Sequence, residues 1–191
     1  MEVKKVSEKG GILKFSVKET DSAFANALRR TVMNNVPIFA VEDVSVFENN
    51  SVLFDEFLAH RLAMLPIRSG LKNYGEGESV TMTLEKEGPG MVYSKDVKST
   101  DTKVEVLEKM IPLVKLKKGQ RVKLEMKAVA GTGKEHAKWQ PAIAAYEQQG
   151  EDGFLFMLET HGNLDNAEII KSAVERLKEK AAEFKKALKD I

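Results

Sequence analysis

The chain of 191 residues contains no cysteine. Disulfides, thiolate metal sites, thiolate-held iron–sulfur clusters and cysteine nucleophiles are thereby excluded for it. It has no apolar run of membrane-spanning length, and the opening Met1-Glu2-Val3-Lys4-Lys5 lacks the apolar core of a secretory leader. A cytoplasmic protein with no membrane partner is the expectation. Net charge is scarce too: 30 Lys and Arg stand against 29 Asp and Glu, for a formal +1. A chain that held DNA mainly by its own charge would be more basic, so the balance points to protein partners. The histidines, His60, His136 and His161, show no HxxxH metal spacing. There is no Walker phosphate loop, and Gly75-Glu76-Gly77 does not open a helix. No internal repeat or low-complexity tract is found.

What remains is a sequence 42% hydrophobic, enough to bury a core in one large domain or two small ones. Leu13, Phe15 and Val17 alternate with Lys14, Ser16 and Lys18, a half-buried strand after the turn residues Gly10-Gly11. A helix follows, capped by Asp21 or Ser22 and stopped before Pro37, with Phe24, Ala27, Leu28, Thr31 and Val32 on one face. Arg29 and Arg30 leave that face together. A guanidinium is planar, forked and always charged, so the pair reads either as a solvated face or as a docking device for carboxylate or phosphate. Residues 38–47 suit a strand. Asn49-Asn50-Ser51 can cap a helix carrying Phe54, Phe57, Leu58, Leu62 and Leu65, which ends before Pro66. Val80, Met82 and Leu84, then Val122, Leu124, Met126 and Ala128, mark strands with one wet face. Lys117-Lys118-Gly119-Gln120 suits a hairpin turn joining residues 111–116 to 121–129.

Residues 154–158 are apolar on both faces and read as a central, covered strand. Asp165 with Glu168 resembles a capping box that opens a helix running to the end of the chain. Ile170, Ala173, Val174, Leu177, Ala181, Phe184 and Leu188 form its stripe, covered either by the chain's own sheet or by a partner. The loop around Gly131-Thr132-Gly133 gathers Lys134, Glu135, His136, Lys138 and Trp139. Trp139 can anchor the loop in an apolar pocket, and tryptophan is favoured at interface hot spots. Glu135 with His136 has no nucleophile or metal set beside it, so a free-standing hydrolase is the weakest reading.

Three motifs in this order, Asn26-Ala27-Leu28-Arg29-Arg30, His60-Arg61-Leu62 with Pro66-Ile67, and Gly133-Lys134-Glu135-His136-Ala137-Lys138-Trp139, resemble the D family of archaeal DNA-directed RNA polymerase subunits. That family is similar to the amino-terminal region of the bacterial alpha subunit and to the eukaryotic third-largest subunit. The resemblance covers nearly the whole chain. It implies an α+β fold: a discontinuous dimerisation domain over 1–46 and 153–191, built of a sheet and the long C-terminal helix, with an inserted, mainly β domain over 47–152. It implies a non-catalytic assembly platform in transcription that pairs with the small subunit L and recruits the large catalytic subunits. DNA is met only through the assembled complex, and Mg²⁺-dependent phosphoryl transfer belongs to the large subunits. Partner contacts are expected at Asn26, Arg29, Arg30, His60, Arg61, Lys134, Glu135, His136 and Trp139. They are expected also at Phe154 and Phe156 and along Ile170, Val174, Leu177, Ala181, Phe184 and Leu188. Many relatives carry a cysteine-rich iron–sulfur segment after the Trp139 region. Here a polar joint over residues 144–153 takes its place, and no cofactor is expected. The runner-up is an independent nucleic-acid-binding module on Arg121, Lys123, Lys127 and the Lys117-Lys118 turn.

Overall fold

The computed structural model describes residues 1–68 and 79–188, so the Gly75-Glu76-Gly77 loop lies outside the described residues. The fold is α+β. The chain forms two compact units, one of Met1–Pro37 with Thr132–Ile191 and one of Ile38–Gly131.

The discontinuous unit begins with a hairpin of β1 (Glu2–Lys9) and β2 (Ile12–Lys18). Gly10 and Gly11 both take positive φ, 60° and 81°, as a two-residue hairpin turn between right-twisted strands requires. β1 was not foreseen: it is exposed along its whole length and rich in lysine, which suits an edge strand. Helix α1 (Ser22–Asn34) follows, its first turn capped by the Asp21 carboxylate, which accepts from the Phe24 N–H at 2.8 Å. Its buried face is Ala25, Leu28, Thr31 and Val32. Phe24 and Ala27, expected on that face, are only half-buried, and Ala25 takes the central place.

The sheet closes with β11 (Ala142–Gln149) and β12 (Gly153–Thr160), in the order β1-β2-β12-β11 and antiparallel throughout. β12 is central, as expected, but only one of its faces is covered. Phe154, Phe156 and Leu158 are buried, Leu155 is half-buried and Met157 is exposed. Phe156 stacks on Phe15 across the register, ring centroids 5.0 Å apart. The polar joint expected over 144–153 is instead mostly strand β11, closed onto β12 by a short turn in which Gly150 has φ 77°. Helix α3 (Asn166–Ala187) then runs for 22 residues, about 33 Å. The Glu168 carboxylate reaches back to the Asp165 N–H at 3.2 Å, so the capping reading holds. α1 packs against α3 and β11.

The continuous unit is built on the antiparallel sheet β3-β10-β5-β7, with β3 at Ile38–Asn49, β5 at Ser79–Glu87, β7 at Val97–Ser99 and β10 at Arg121–Gly131. Two short pairs complete it: β4 (Ile67–Arg68) with β8 (Glu105–Val106), and β6 (Gly90–Tyr93) with β9 (Pro112–Leu116). Val80, Met82 and Leu84 of β5 and Val122, Leu124, Met126 and Ala128 of β10 alternate into one core, as their pattern implied. The expected hairpin between 111–116 and 121–129 does not form. The turn is present, with the Gln120 N–H bonded to the Lys117 carbonyl at 3.1 Å. Both edges of β10 are already taken by β3 and β5, so β9 pairs with β6 instead.

Helix α2 (Asp55–Ala63) buries Leu58 and Leu62, four residues apart. Phe54 and Phe57, expected on that face, are 72% and 63% exposed. Phe54 precedes the first turn, and Phe57 lies one position, about 100°, off the covered line. Asn49 and Ser51 do not supply the helix cap; they close the turn ahead of it, with Asn49 Nδ2 donating to Asp55 Oδ1 at 2.7 Å.

The unit boundaries differ from those expected at 46/47 and 152/153. β3 pairs with β10 down to Ile38 opposite Gly131, which draws all of β3 into the continuous unit. β11 pairs with β12, which returns residues 132–152 to the discontinuous one.

Candidate functional site

The last turns of α1 carry the arginine pair, and the two residues differ. Arg29 is half-buried and lies along its own helix, donating to Asn26 Oδ1 at 3.0 Å and to Met33 Sδ at 3.7 Å. Arg30 is exposed. The 132–139 loop crosses the end of the same helix. The Lys134 N–H donates to the Asn34 carbonyl at 3.0 Å, and a Cβ at Gly133 would lie 2.2 Å from the Met33 carbonyl oxygen. The structure thus brings two separate sequence motifs together at one helix end.

The loop is held from within. The Glu135 carboxylate accepts from the Thr132 hydroxyl at 2.7 Å and from the Thr132 N–H at 3.2 Å. His136 Nδ1 accepts from the Lys138 N–H at 3.0 Å. Both groups of the supposed acid/base pair are engaged in shaping the turn. Trp139 is only 6% exposed, and the Lys138 ammonium sits 4.3 Å from its ring centroid. Its anchoring role follows from that burial. The ring is buried within its own unit. Phe154 and Phe156 are buried too, in the core of the sheet.

The α3 stripe divides along its length. Asn166, Ile169 and Ala173 are buried, Ile170 and Leu177 are half-buried, and Val174 is exposed. Every described residue from Lys178 onward is exposed, including Ala181, Leu188 and Phe184, the last at 67%. In the continuous unit, His60 and Arg61 occupy the last turn of α2, where cations suit the negative end of the helix dipole. His60 is exposed, whereas Arg61 donates to the Pro112 carbonyl and so ties α2 to β9. On the open face of β10, Arg121 pairs with Glu85 and Lys123 lies 3.8 Å from the same carboxylate. The guanidinium's hydrogen bond holds the Glu85 carboxyl below its ordinary pKa. Arg121 and Lys123, two of the five cations behind the nucleic-acid reading, are thus engaged with acidic neighbours. Among the described residues, no group of three or more His, Asp or Glu could hold a metal ion. No helix there is long and apolar enough to cross a membrane.

The family described as the RNA polymerase Rpb3/RpoA insert domain matches residues 44–146. The DNA-directed RNA polymerase subunit Rpo3 of Methanocaldococcus jannaschii is 49% identical over 177 residues, covering 93% of this chain and 90% of that protein. The chain belongs to the Rpo3 family. The Rpo3 of Thermococcus kodakarensis is 46% identical over 153 residues, 77% of this chain but 59% of that protein. The Rpo3 of Methanobrevibacter smithii is 41% identical, over 81% of this chain and 61% of its own length. The chain therefore spans about three fifths of these two longer Rpo3 relatives. Sequence reasoning missed the close approach at Gly133, for which a small residue between two polar ones was the available signal. It missed also the buried Asn166, which opens α3 and donates to Glu8 Oε1 at 3.2 Å and to the Gly11 carbonyl at 3.1 Å.

Proposed function

We propose that the chain is a non-catalytic assembly subunit of DNA-directed RNA polymerase, pairing through α3 with a smaller homologous subunit, the L subunit of the family. The pair would present the arginine end of α1, the 132–139 loop and the His60–Arg61 end of α2 to further subunits. The large subunits would carry the chemistry, and this chain would work in the cytoplasm with no cofactor of its own. One observation carries the reading: the apolar stripe of α3 outruns the cover its own unit provides. Ile169 and Ala173 are buried, but Ala181, Phe184 and Leu188, in the same periodic line, stand in solvent. An apolar line on a helix stabilises only when something covers it, and an exposed apolar patch of this kind marks an interaction surface.

Co-expression with the small subunit followed by size exclusion tests this. Co-elution is expected for the wild-type chain and loss of co-elution for Phe184→Asp. A charge trapped in such a seam costs about 3–5 kcal/mol. The variant should leave the melting temperature of the isolated chain unchanged. A well-behaved monomer that ignores the small subunit, or one whose pairing is indifferent to Phe184→Asp, would refute the reading.

A further inference from the structure

We propose that Asn166 is a positioning residue: its buried amide pins the root of α3 to the β1–β2 hairpin and so sets the direction of the exposed half of the helix. This rests on the reading of α3 as the pairing element and adds what aims it.

The argument begins with an orphan atom. Asn166 is 4% exposed. Its Nδ2 donates to Glu8 Oε1 at 3.2 Å and to the Gly11 carbonyl at 3.1 Å. Its Oδ1 is buried with no hydrogen-bond partner among the described residues. Turning the amide over gives no relief, since Oδ1 would then face two acceptors. Burying an unpaired acceptor costs stability, and that cost opposes the gain from the two Nδ2 bonds. Asn is also a poorer helix former than Ala. Stability is thus a weak account of this residue. What two directional bonds to one hairpin do supply is an angle.

The junction around Asn166 is built to hold that angle. The Gly11 carbonyl also accepts from the Thr160 N–H at 3.2 Å, so the hairpin turn, the end of β12 and the start of α3 meet on one oxygen. Thr160 Oγ1 donates to the Leu164 carbonyl at 2.7 Å and accepts from the Gly162 N–H at 3.0 Å, which tightens the connection from β12 to α3. Glu8 is itself held through its other oxygen by Lys5.

The rest of α3 leaves its direction to the root. The buried residues, Asn166, Ile169 and Ala173, lie within its first eight positions, and every described residue from Lys178 onward is exposed. Apolar burial is non-directional, so Ile169 and Ala173 tether the helix more than they aim it. Phe184 stands 18 residues beyond Asn166, about 27 Å along the axis. A tilt of about 10° at the root would carry Phe184 through about 5 Å, close to the rise of one turn. The first turn of the helix has its own support, because the Glu168 carboxylate reaches back to the Asp165 N–H.

The chain has no cysteine, so spin labels can be placed at Lys14→Cys on β2 and Ala182→Cys on α3. Both positions are exposed, and the second lies off the apolar stripe. The distance distribution between the labels is expected to be narrow in the otherwise wild-type chain and broad with Asn166→Ala. Thermal melting should stay as in wild type. If loss of the pin leaves about a tenth of the chains with α3 aimed for pairing, the apparent affinity for the small subunit falls about tenfold. Glu8→Gln keeps an acceptor for Nδ2 and should match wild type in each reading. Asn166→Leu fills the space that Ala leaves and should behave as Asn166→Ala does. A distribution as narrow as that of wild type with either Asn166 variant overturns the inference. So does a fall in melting temperature in step with the fall in affinity, which would make Asn166 a structural residue only. A wild-type chain that ignores the small subunit sinks the pairing reading, and the label distances then still decide whether Asn166 fixes the helix.

Discussion

At the residue scale, Gly133 and Asp96 each hold a piece of structure that a single substitution can interrogate. A Cβ at Gly133 would meet the Met33 carbonyl oxygen, a backbone atom that cannot swing aside. Gly133→Ala should therefore lift the loop from α1 and strain the Lys134–Asn34 bond, at a cost of about 1–3 kcal/mol, the range for overpacking. A urea midpoint equal to that of wild type would show that the contact is not tight. Asp96, whose side chain is 14% exposed, accepts from Lys86 Nζ and from the Tyr93 N–H. Burial, the largest single influence, pushes its pKa up, but the hydrogen bonds from Lys86 and Tyr93 and the charges of Lys86 and Lys95 together outweigh it, and the net shift is downward. A carboxyl whose folded pKa is depressed adds stability above its unfolded value, and that stability is lost as pH falls through the folded value. Asp96→Asn should thus be less stable than wild type at pH 7, and the gap should narrow below about pH 4. Urea melts at pH 7 and pH 3 with equal gaps would contradict this. Legibility at this scale was uneven. Arg29 and Arg30 are identical letters, and only Asn26 three residues before and Met33 four residues after separate their roles. Trp139 was rightly read as an anchor, yet burial is a property of tertiary packing, and no local pattern announces it.

At the element scale, periodicity named the elements better than it named their neighbours. α1, β5, β10 and α3 were readable because each shows a clean period of 3.6 or 2. What periodicity could not supply was the pairing. β9 and β10 are adjacent in sequence and joined by a good turn, but sheet edges are allotted by the whole core, and β10 had none free. β1 escaped notice because it is exposed along its whole length, and β11 because the residues it buries, Ala142 and Ala144, are small and give no apolar signal of their own. α3 is the clearest case. Its stripe is continuous in sequence, yet the structure divides it between residues covered within the chain and residues left outside. This division predicts a contrast. Ile169→Ala removes a fully buried side chain and should destabilise the isolated chain by about 2–5 kcal/mol. Phe184→Ala should leave the isolated chain unchanged and weaken only its pairing with the small subunit. Thermal melts of the two variants alone, beside binding isotherms, check both arms, and equal losses of stability would erase the proposed boundary along the helix.

At the scale of the whole molecule, the insertion pattern was legible from family resemblance but its borders were not, since a border is set by which strands pair. Ile38 opens β3 and stands opposite Gly131, the last residue of β10. The continuous unit thus leaves the rest of the chain through two paired strand ends, and it contains a buried cluster of its own that includes Phe39, Leu58, Met82, Leu116 and Met126. Removing it therefore cuts two covalent connections without opening that core. Residues 38–131 expressed alone should unfold in a single cooperative transition, as small domains with one core do. The complementary chain, with Pro37 joined to Thr132 by a short flexible linker, keeps α1, the β1-β2-β12-β11 sheet and all of α3. The end of α1 already lies beside the returning segment, as the Lys134–Asn34 hydrogen bond shows, so a short linker has little distance to span. Such a chain should still bind the small subunit through the exposed half of α3, with an affinity within about tenfold of the full chain, or about 1.4 kcal/mol. A fragment 38–131 without a cooperative transition would show that the division between units is geometric and not energetic. Loss of small-subunit binding in a well-folded complementary chain would mean that the continuous unit shares in that interface, contrary to the role assigned here to α3.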